Sequence, residues 1–212
     1  MSGTLTCVIC DCRDMDDPLL ERLCSSLSAG RRATVDDIGN RSDRVMGTVA
    51  GYISESLASS FDTHIVRLSN GKPVFGRDDI HLSISHSAGI VAVAWSDMPV
   101  GVDVQAVVSM GNIAGRMLTE KERTILTDMS DRSLVRIWTM KESYLKMTGI
   151  GIAKGLEGLD VLSEDTSVPG DGYRFLTRDI VDDMVLTVCG RSDVPLCMKY
   201  VDVRALENGS FI

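Results

Sequence analysis

The chain has 212 residues, of which 44% are hydrophobic, and this is enough to bury one sizeable core or two small ones. Its 30 aspartates and glutamates outnumber its 22 lysines and arginines, and the net charge of −8 argues against the basic stripes that bind nucleic acid. No stretch reaches the roughly 18 apolar residues of a membrane span, and no secretory signal opens the chain. We therefore expect a cytoplasmic monomer, without nucleic acid or membrane partners, whose 6 cysteines remain reduced.

The first half of the sequence alternates strand and helix signals. Residues 4–12 are typical of an apolar strand. Cys7 and Cys10 have a zinc-like spacing there, but no second pair follows, so we interpret these cysteines and Cys12 as small buried hydrophobic side chains. Asp17-Pro18 opens a helix that Gly30 is expected to end, and a second helix is predicted over residues 42–59. Alternating apolar residues and turn signals predict strands over residues 64–69, 72–75, 80–85, 90–95 and 100–105.

The second half repeats this order. Thr119 and Glu122 form a capping box that opens a helix, and Ser133 is predicted to cap the next one. Strand-like runs follow at residues 159–162, 173–176, 184–189 and 196–203. Helices followed by strands, twice over, predict an α+β chain of two similar α/β halves.

Two of these segments carry carboxylates that can meet. Strand alternation puts Asp103 and Gln105 on one face beside Gly101, and helical spacing puts Glu142 and Lys146 one turn apart. Mg²⁺ prefers oxygen ligands and is commonly held by one or two carboxylates plus phosphates, so this pattern suits Mg²⁺ at a phosphate site. The alternative interpretation is a solvent-facing strand acid and an ordinary Glu–Lys helix pair.

Three segments, taken in order, resemble the signature of the Sfp-type 4′-phosphopantetheinyl transferases. That family carries Ser-His-Ser, then Gly-Ile/Val-Asp, then Trp-x-x-Lys-Glu-x-x-x-Lys, preceded by Gly-Lys-Pro. The matching residues here are Gly71-Lys72-Pro73, Ser85-His86-Ser87, Gly101-Val102-Asp103, and Trp138 with Lys141, Glu142 and Lys146. The resemblance is dense over residues 70–151. It implies two similar halves, residues 1–105 and 106–212, related by a pseudo-twofold axis, with the active site in the cleft between them.

The resemblance also implies an activity. Relatives transfer the 4′-phosphopantetheine group of coenzyme A to a serine hydroxyl of an apo acyl or peptidyl carrier protein, with Mg²⁺ as cofactor, and release adenosine 3′,5′-bisphosphate. This implies that Asp103, Glu142 and Gln105 hold the metal and that Glu142, Lys146 and Glu122 are catalytic. Gln105 departs from the common pattern, because a glutamate often stands there, and its amide offers an oxygen without a charge. For Glu122, a purely structural role in the capping box remains the alternative.

Coenzyme A contacts follow from the same resemblance. Asp103, Lys141 and Lys146 would face the pyrophosphate, Ser85 and His86 the 3′-phosphate and adenosine end, and Lys72 the adenine or ribose. The cations available upstream for the 3′-phosphate are Arg31, Arg32 and Arg44, and no spacing selects among them.

Two other functions compete with this one. A serine hydrolase lacks support, because no Gly-x-Ser-x-Gly elbow is present and neighbouring Ser85 and His86 would point to opposite faces of a strand. A noncatalytic coenzyme A or carrier-binding module would be signalled by loss of Asp103, Glu142 or Lys146, and all three are present.

A carrier-binding surface is also expected after the Asp103 strand, where relatives present apolar residues. Those residues form either an exposed methionine-rich patch near positive charges or part of the core. The positive charges are Arg116, Lys121 and Arg123, and the apolar residues are Val107, Val108, Met110, Ile113, Met117 and Leu118.

Overall fold

The structure is a computed structural model that describes residues 3–151, 156, 158–162 and 172–208. The helices are α1 (Asp17–Ser26), α2 (Ala29–Asp36), α3 (Arg41–Ser60), α4 (Gly111–Met117), α5 (Glu120–Ile125) and α6 (Asp131–Thr148), with a 3₁₀ helix at Val203–Asn208. The strands are β1 (Leu5–Asp11), β2 (Ile65–Arg67), β3 (Pro73–Phe75), β4 (His81–Ser87), β5 (Ile90–Ser96), β6 (Gly101–Ala106), β7 (Tyr173–Asp179), β8 (Met184–Arg191) and β9 (Leu196–Asp202). This is a mixed α and β fold, as predicted.

The larger sheet has four strands in the order β4-β5-β1-β9. Neighbouring strands are antiparallel except β1 and β9, which run parallel. The near-continuous apolar run of β1 suits a strand that is covered on both faces. Cys10 and Cys12 face the core formed with α1 and α3, whereas Cys7 faces the second core with β6 and β8. The interpretation of these cysteines as buried apolar side chains is therefore confirmed.

The smaller sheet is antiparallel, with the order β6-β8-β7, and α6 packs across β6 and β8. Two segments cross the expected boundary between residues 105 and 106. Strand β6 belongs to the second sheet, and β9 joins the first sheet beside β1. The sheets therefore do not divide at that residue, and two similar halves remain a prediction. No helix in the part of the chain that the structure describes is long and apolar enough to cross a membrane.

Several element boundaries differ from the prediction. Helix α1 ends at Ser26, and Gly30 lies inside the unpredicted helix α2. Ser130, rather than Ser133, caps α6, because its side chain accepts a hydrogen bond from the Ser133 N–H. Helix α4 was also not predicted, and residues 159–162 are described without strand structure. The capping box of Thr119 and Glu122 is confirmed.

Candidate functional site

Helix α6 approaches β6 closely because Gly101 has no side chain. A Cβ atom at Gly101 would lie 1.8 Å from the Ser143 carbonyl oxygen and 2.8 Å from the Met147 backbone nitrogen. No residue other than glycine can occupy such a space without moving the helix. This contact brings Glu142 and Lys146 down onto the strand that carries Asp103.

Lys146, Asp103 and Ser85 form one hydrogen-bonded cluster where β4, β6 and α6 meet. The Lys146 ammonium donates to Asp103 Oδ1 at 2.6 Å and to Ser85 Oγ at 2.9 Å. The Ser85 hydroxyl donates to the same Asp103 oxygen at 2.8 Å. Three residues from three separate sequence segments are thus brought together.

Two carboxylate oxygens, one in this cluster and one on the neighbouring Glu142, have no partner in the part of the chain that the structure describes. Asp103 Oδ2 and Glu142 Oε1 are buried, and neither has a hydrogen-bond partner among the described residues. Burial raises the pKa of Asp103, although Lys146 and Ser85 oppose that shift. Burial, and secondly the Asp103 charge, raises the pKa of Glu142 to about 7. A divalent cation would offset this desolvation and repulsion, so the donor set fits Mg²⁺.

The protein supplies only a partial coordination sphere. In the described part of the chain, no group of three or more His, Cys, Asp or Glu side chains gathers as a metal site. Gln105 shares its strand face with Asp103 and is half-buried, without adding a third carboxylate. Mg²⁺ usually keeps several waters and binds substrate phosphates, which suits a site with two protein carboxylates.

A cavity of about 650 Å³ opens beside the cluster and carries positive charge. Its lining includes the cations Arg31, Arg67 and Lys146, together with His86 and one acidic residue, Glu55. Arg31 donates to the Gly47 carbonyl at 2.5 Å, while its buried Nε has no partner in the described structure. Burial and Arg67 lower the pKa of Arg31. Desolvation, Lys146 and Arg31 lower the pKa of His86, although Asp43 opposes them. Crowded cations of this kind suit an anionic ligand.

The structure separates the three arginines that the sequence left equal. Arg31 lines the cavity, whereas Arg32 is exposed on α2 with Asp36 at 3.8 Å. Arg44 is paired with Glu21 and Asp36, both at 3.1 Å. Sequence reasoning missed Arg67. The available sequence signal was the Asn70-Gly71 turn, which predicts a hairpin and so places Arg67 opposite Pro73, beside the expected nucleotide residue Lys72.

Lys72 contacts the end of α6. Its ammonium donates to the carbonyl oxygens of Lys146 and Met147, the latter at 3.5 Å. A cation at a helix C-terminus is favourable, because the last carbonyls carry partial negative charge. Lys72 also lines a second cavity, of about 370 Å³, on whose wall Leu82, Ile84, Leu145, Glu142 and Lys146 lie. In this structure Lys72 links the β2–β3 hairpin to α6, and no contact to a nucleotide follows from its placement.

Lys141 and Glu122 lie away from both cavities. Their side chains are fully buried, with Lys141 Nζ and Glu122 Oε2 at 2.7 Å. Lys141 also donates to the Met117 and Leu159 carbonyls, and Glu122 accepts from the Thr119 and Val161 N–H groups. The expectation that Lys141 faces a pyrophosphate is therefore corrected, since every proton of its ammonium is used internally. Glu122 fills its capping box and pairs with Lys141, so we leave both out of the proposed catalytic set.

Replacing Lys141 with methionine should strongly destabilise the protein. The variant leaves the Glu122 carboxylate buried without its counter-ion, and breaking a buried pair in this way costs roughly 3–5 kcal/mol. Lys121→Met is the matched control, because Lys121 pairs with Asp160 at 2.9 Å with its side chain 61% exposed. Such an exposed pair contributes about 1 kcal/mol or less. Urea unfolding measures both, and equal losses for the two variants would contradict a structural role for Lys141.

The expected carrier surface is mostly core. Met110 and Met117 are 2% and 1% exposed and pack with Leu118 in the cluster beneath α6. Of the two alternatives, the expectation of an exposed methionine-rich patch is therefore corrected, because these methionine side chains pack in the interior. Val108, Ile125 and Met129 are the large apolar side chains that stay exposed in this region.

Lys146 lines the cationic cavity, and close to it two buried carboxylate oxygens have no partner among the described residues, so the site suits a divalent cation and phosphates. Residues 99–187 match the 4′-phosphopantetheinyl transferase superfamily. The chain is 36% identical over 152 residues to the 4′-phosphopantetheinyl transferase psf-1 of Bacillus pumilus, covering 66% of this chain and 64% of that protein. It is 39% identical over 87 residues to the 4′-phosphopantetheinyl transferase gsp of Aneurinibacillus migulanus, covering 39% of this chain and 36% of that protein. It is 28% identical over 171 residues to the 4′-phosphopantetheinyl transferase Sfp of Bacillus subtilis, covering 73% of this chain and 76% of that protein.

These similarities support the interpretation of this chain as a member of the Sfp-type 4′-phosphopantetheinyl transferase family. Its alignments span less than two thirds of the length of psf-1 and of gsp.

Proposed function

We propose that this protein transfers the 4′-phosphopantetheine group of coenzyme A to a serine hydroxyl of an apo acyl or peptidyl carrier protein. The observation that carries the proposal is the pair of unpartnered oxygens, Asp103 Oδ2 and Glu142 Oε1, beside Lys146. Lys146 lines both the cationic cavity and the more apolar one, and Glu142 lines the latter. A noncatalytic binding module would not need such a costly pair of buried anions.

The two cavities suit the two ends of coenzyme A. The nucleotide carries a 3′-phosphate, for which Arg31 and Arg67 supply positive charge in the larger cavity and His86 supplies an imidazole that can donate a hydrogen bond. The pantetheine arm is largely uncharged, and the smaller cavity offers Pro73, Leu82, Ile84 and Leu145. The pyrophosphate between them then reaches Lys146 and the carboxylate pair.

The reaction is a displacement at phosphorus. The carrier serine oxygen forms a bond to the β-phosphorus, the bond from that phosphorus to the bridging oxygen breaks, and adenosine 3′,5′-bisphosphate leaves. Asp103 and Glu142 would hold Mg²⁺, which would supply charge neutralisation on the pyrophosphate. Lys146 stabilises the leaving oxygen as a point charge. We assign Glu142 to receive the serine proton, because Glu142 lines the smaller cavity, whereas Asp103 Oδ1 is already occupied by Lys146 and Ser85.

The direct test is transfer itself. The protein is incubated with coenzyme A, Mg²⁺ and a panel of apo acyl and peptidyl carrier proteins, and intact mass is read for each carrier. We expect one phosphopantetheine adduct per carrier and its loss when EDTA replaces Mg²⁺. A carrier panel that stays unmodified, with Mg²⁺ present and an active relative as positive control, would contradict the proposal.

Charge removal at Arg31 should weaken binding of coenzyme A selectively. Arg31→Gln removes a cation from the larger cavity, and one charged hydrogen bond contributes about 1.5–3 kcal/mol, or roughly tenfold or more in Kd. Binding of 3′-dephospho-coenzyme A should change much less, because the contact assigned to Arg31 is the 3′-phosphate. Calorimetric titration of both ligands measures the difference.

The neighbouring residue provides the control for this experiment. Arg32→Gln alters the same helix and the same net charge, but Arg32 is exposed near Asp36 and is not among the residues that line the cavity. Its affinity for coenzyme A should match that of the unchanged protein. Equal losses for the two variants would indicate a long-range charge effect, and equal losses for the two ligands would place the 3′-phosphate elsewhere.

A further inference from the structure

Alternate serines of β4 join the two sheets through their hydroxyl groups. Ser83, Ser85 and Ser87 accept hydrogen bonds from the backbone N–H groups of β6, at Val102 (3.0 Å), Val104 (3.2 Å) and Ala106 (3.3 Å). Strand β6 pairs with β8 along its other edge, so these N–H groups lie on the edge that faces β4. The serine ladder, meaning these three hydroxyl contacts, therefore takes the place of main-chain pairing between β4 and β6.

The middle hydroxyl of the ladder has no bonding capacity to spare. A serine hydroxyl offers one hydrogen and two lone pairs. Ser85 donates its hydrogen to Asp103 Oδ1 at 2.8 Å and accepts from Lys146 Nζ at 2.9 Å and from Val104 N–H at 3.2 Å. The residue is buried, with 6% of its surface exposed. A phosphate could bind Ser85 only by breaking one of these three bonds.

We infer that Ser85 is a positioning residue for Asp103 and Lys146 and makes no side-chain contact with coenzyme A. The three hydrogen bonds of Ser85 hold together the Asp103 side chain, the backbone of strand β6 that carries Asp103, and the Lys146 ammonium. Asp103 Oδ1 is thereby held toward Lys146 and Ser85, and Oδ2 is left without a partner among the described residues. This inference rests on the proposed function, since it assigns Asp103 to the metal and Lys146 to the pyrophosphate.

The serine ladder also contains a matched control. Ser87 accepts the Ala106 N–H at 3.3 Å, and neither Asp103 nor Lys146 is among its contacts in the described structure. Ser87→Ala thus removes a ladder bond without touching the cluster. Ser85→Ala removes both the ladder bond and the bonds to the two side chains.

The experiment measures metal and nucleotide binding separately in the full chain. Mn²⁺ affinity is read by electron paramagnetic resonance with coenzyme A present, and affinity for adenosine 3′,5′-bisphosphate is read by calorimetry without metal. For Ser85→Ala we expect Mn²⁺ affinity to fall roughly tenfold or more, as for other residues that orient a metal ligand, with unchanged nucleotide affinity. Ser87→Ala should preserve both. If Ser85→Ala fails to fold, Ser85→Cys keeps the side-chain volume but donates and accepts only weakly.

The outcomes separate the inference from the proposed function. A fall in nucleotide affinity in the Ser85 variant, with or without a loss of Mn²⁺ affinity, would overturn the inference and make Ser85 a ligand contact. Unchanged Mn²⁺ affinity would overturn it as well. If the unchanged protein binds no adenosine 3′,5′-bisphosphate or coenzyme A at all, the proposed function fails together with the inference.

Discussion

Asp103→Asn and Glu142→Gln should each lower the rate of phosphopantetheine transfer by at least about a hundredfold, the loss typical of removing one electrostatic contact to a transition state. Each substitution keeps the size of the side chain and removes one negative charge from the pair with unpartnered oxygens. With two protein carboxylates available in the described site, neither loss can be offset by a third. Initial rates at saturating coenzyme A, followed by intact mass of the carrier, measure the effect.

Stability separates this loss from unfolding. Both carboxylates are buried, and burial raises the pKa of each, so the fold disfavours their charge. Glu142→Gln should therefore leave the Tm unchanged or higher in metal-free buffer. Glu120→Gln serves as the control, since Glu120 is exposed on α5 outside the site. Unaltered transfer by either Asp103→Asn or Glu142→Gln would rule out the proposed metal site.

Gly101→Ala should abolish most of the activity through a single added methyl group. The Cβ would lie 1.8 Å from the Ser143 carbonyl oxygen, so α6 must move away from β6. Overpacking of this kind costs roughly 1–3 kcal/mol, and a displacement of about 1 Å at a reacting centre can cost roughly a hundredfold in rate. Glu142 and Lys146 both lie on α6 and would move with it. Transfer rates and urea unfolding of the same preparation measure the two effects.

Gly115→Ala is the matched control for this substitution. Gly115 lies within α4, and an added Cβ would meet no atom within 4 Å. Alanine in a helix interior is favoured over glycine by roughly 0.5–1 kcal/mol, so this variant should be as stable or slightly more stable, with normal transfer. Normal activity in Gly101→Ala would show that the geometry of the site does not depend on the close approach of α6 to β6.

Local patterns were sufficient for most of the elements. Apolar patterns located β4, β5 and β6, and Asp17-Pro18 located the start of α1 to within one residue of its observed cap, Asp16, because such signals act within a few residues. Helix α2 was missed because Gly30 was interpreted as a stop signal, although a glycine in the first turn of a helix costs little. The pairing of β9 with β1 has no local signal, since it joins residues near opposite ends of the described chain.

The candidate site likewise contains residues that local patterns predict and residues whose placement depends on packing between distant segments. Asp103, Glu142 and Lys146 could be predicted, because strand and helix periodicity aim them toward one another once β6 and α6 pack. Lys141 could not be placed, because its partners at Met117, Glu122 and Leu159 come from segments whose packing the sequence does not reveal. Nor could the saturation of the Ser85 hydroxyl be anticipated, since it depends on the distance between two sheets.

Strand β9 has a consequence for how the protein emerges from the ribosome. Leu5 pairs with Leu196, so the first sheet lacks its last strand until nearly all of the described chain has been synthesised. Until then the apolar strand β1 has an unpaired edge, which is a template for association with other nascent chains. Contacts so distant in sequence also slow folding, because the loop they close is long. Yield during expression should accordingly depend on translation speed and chaperone supply more than on the stability of the finished fold.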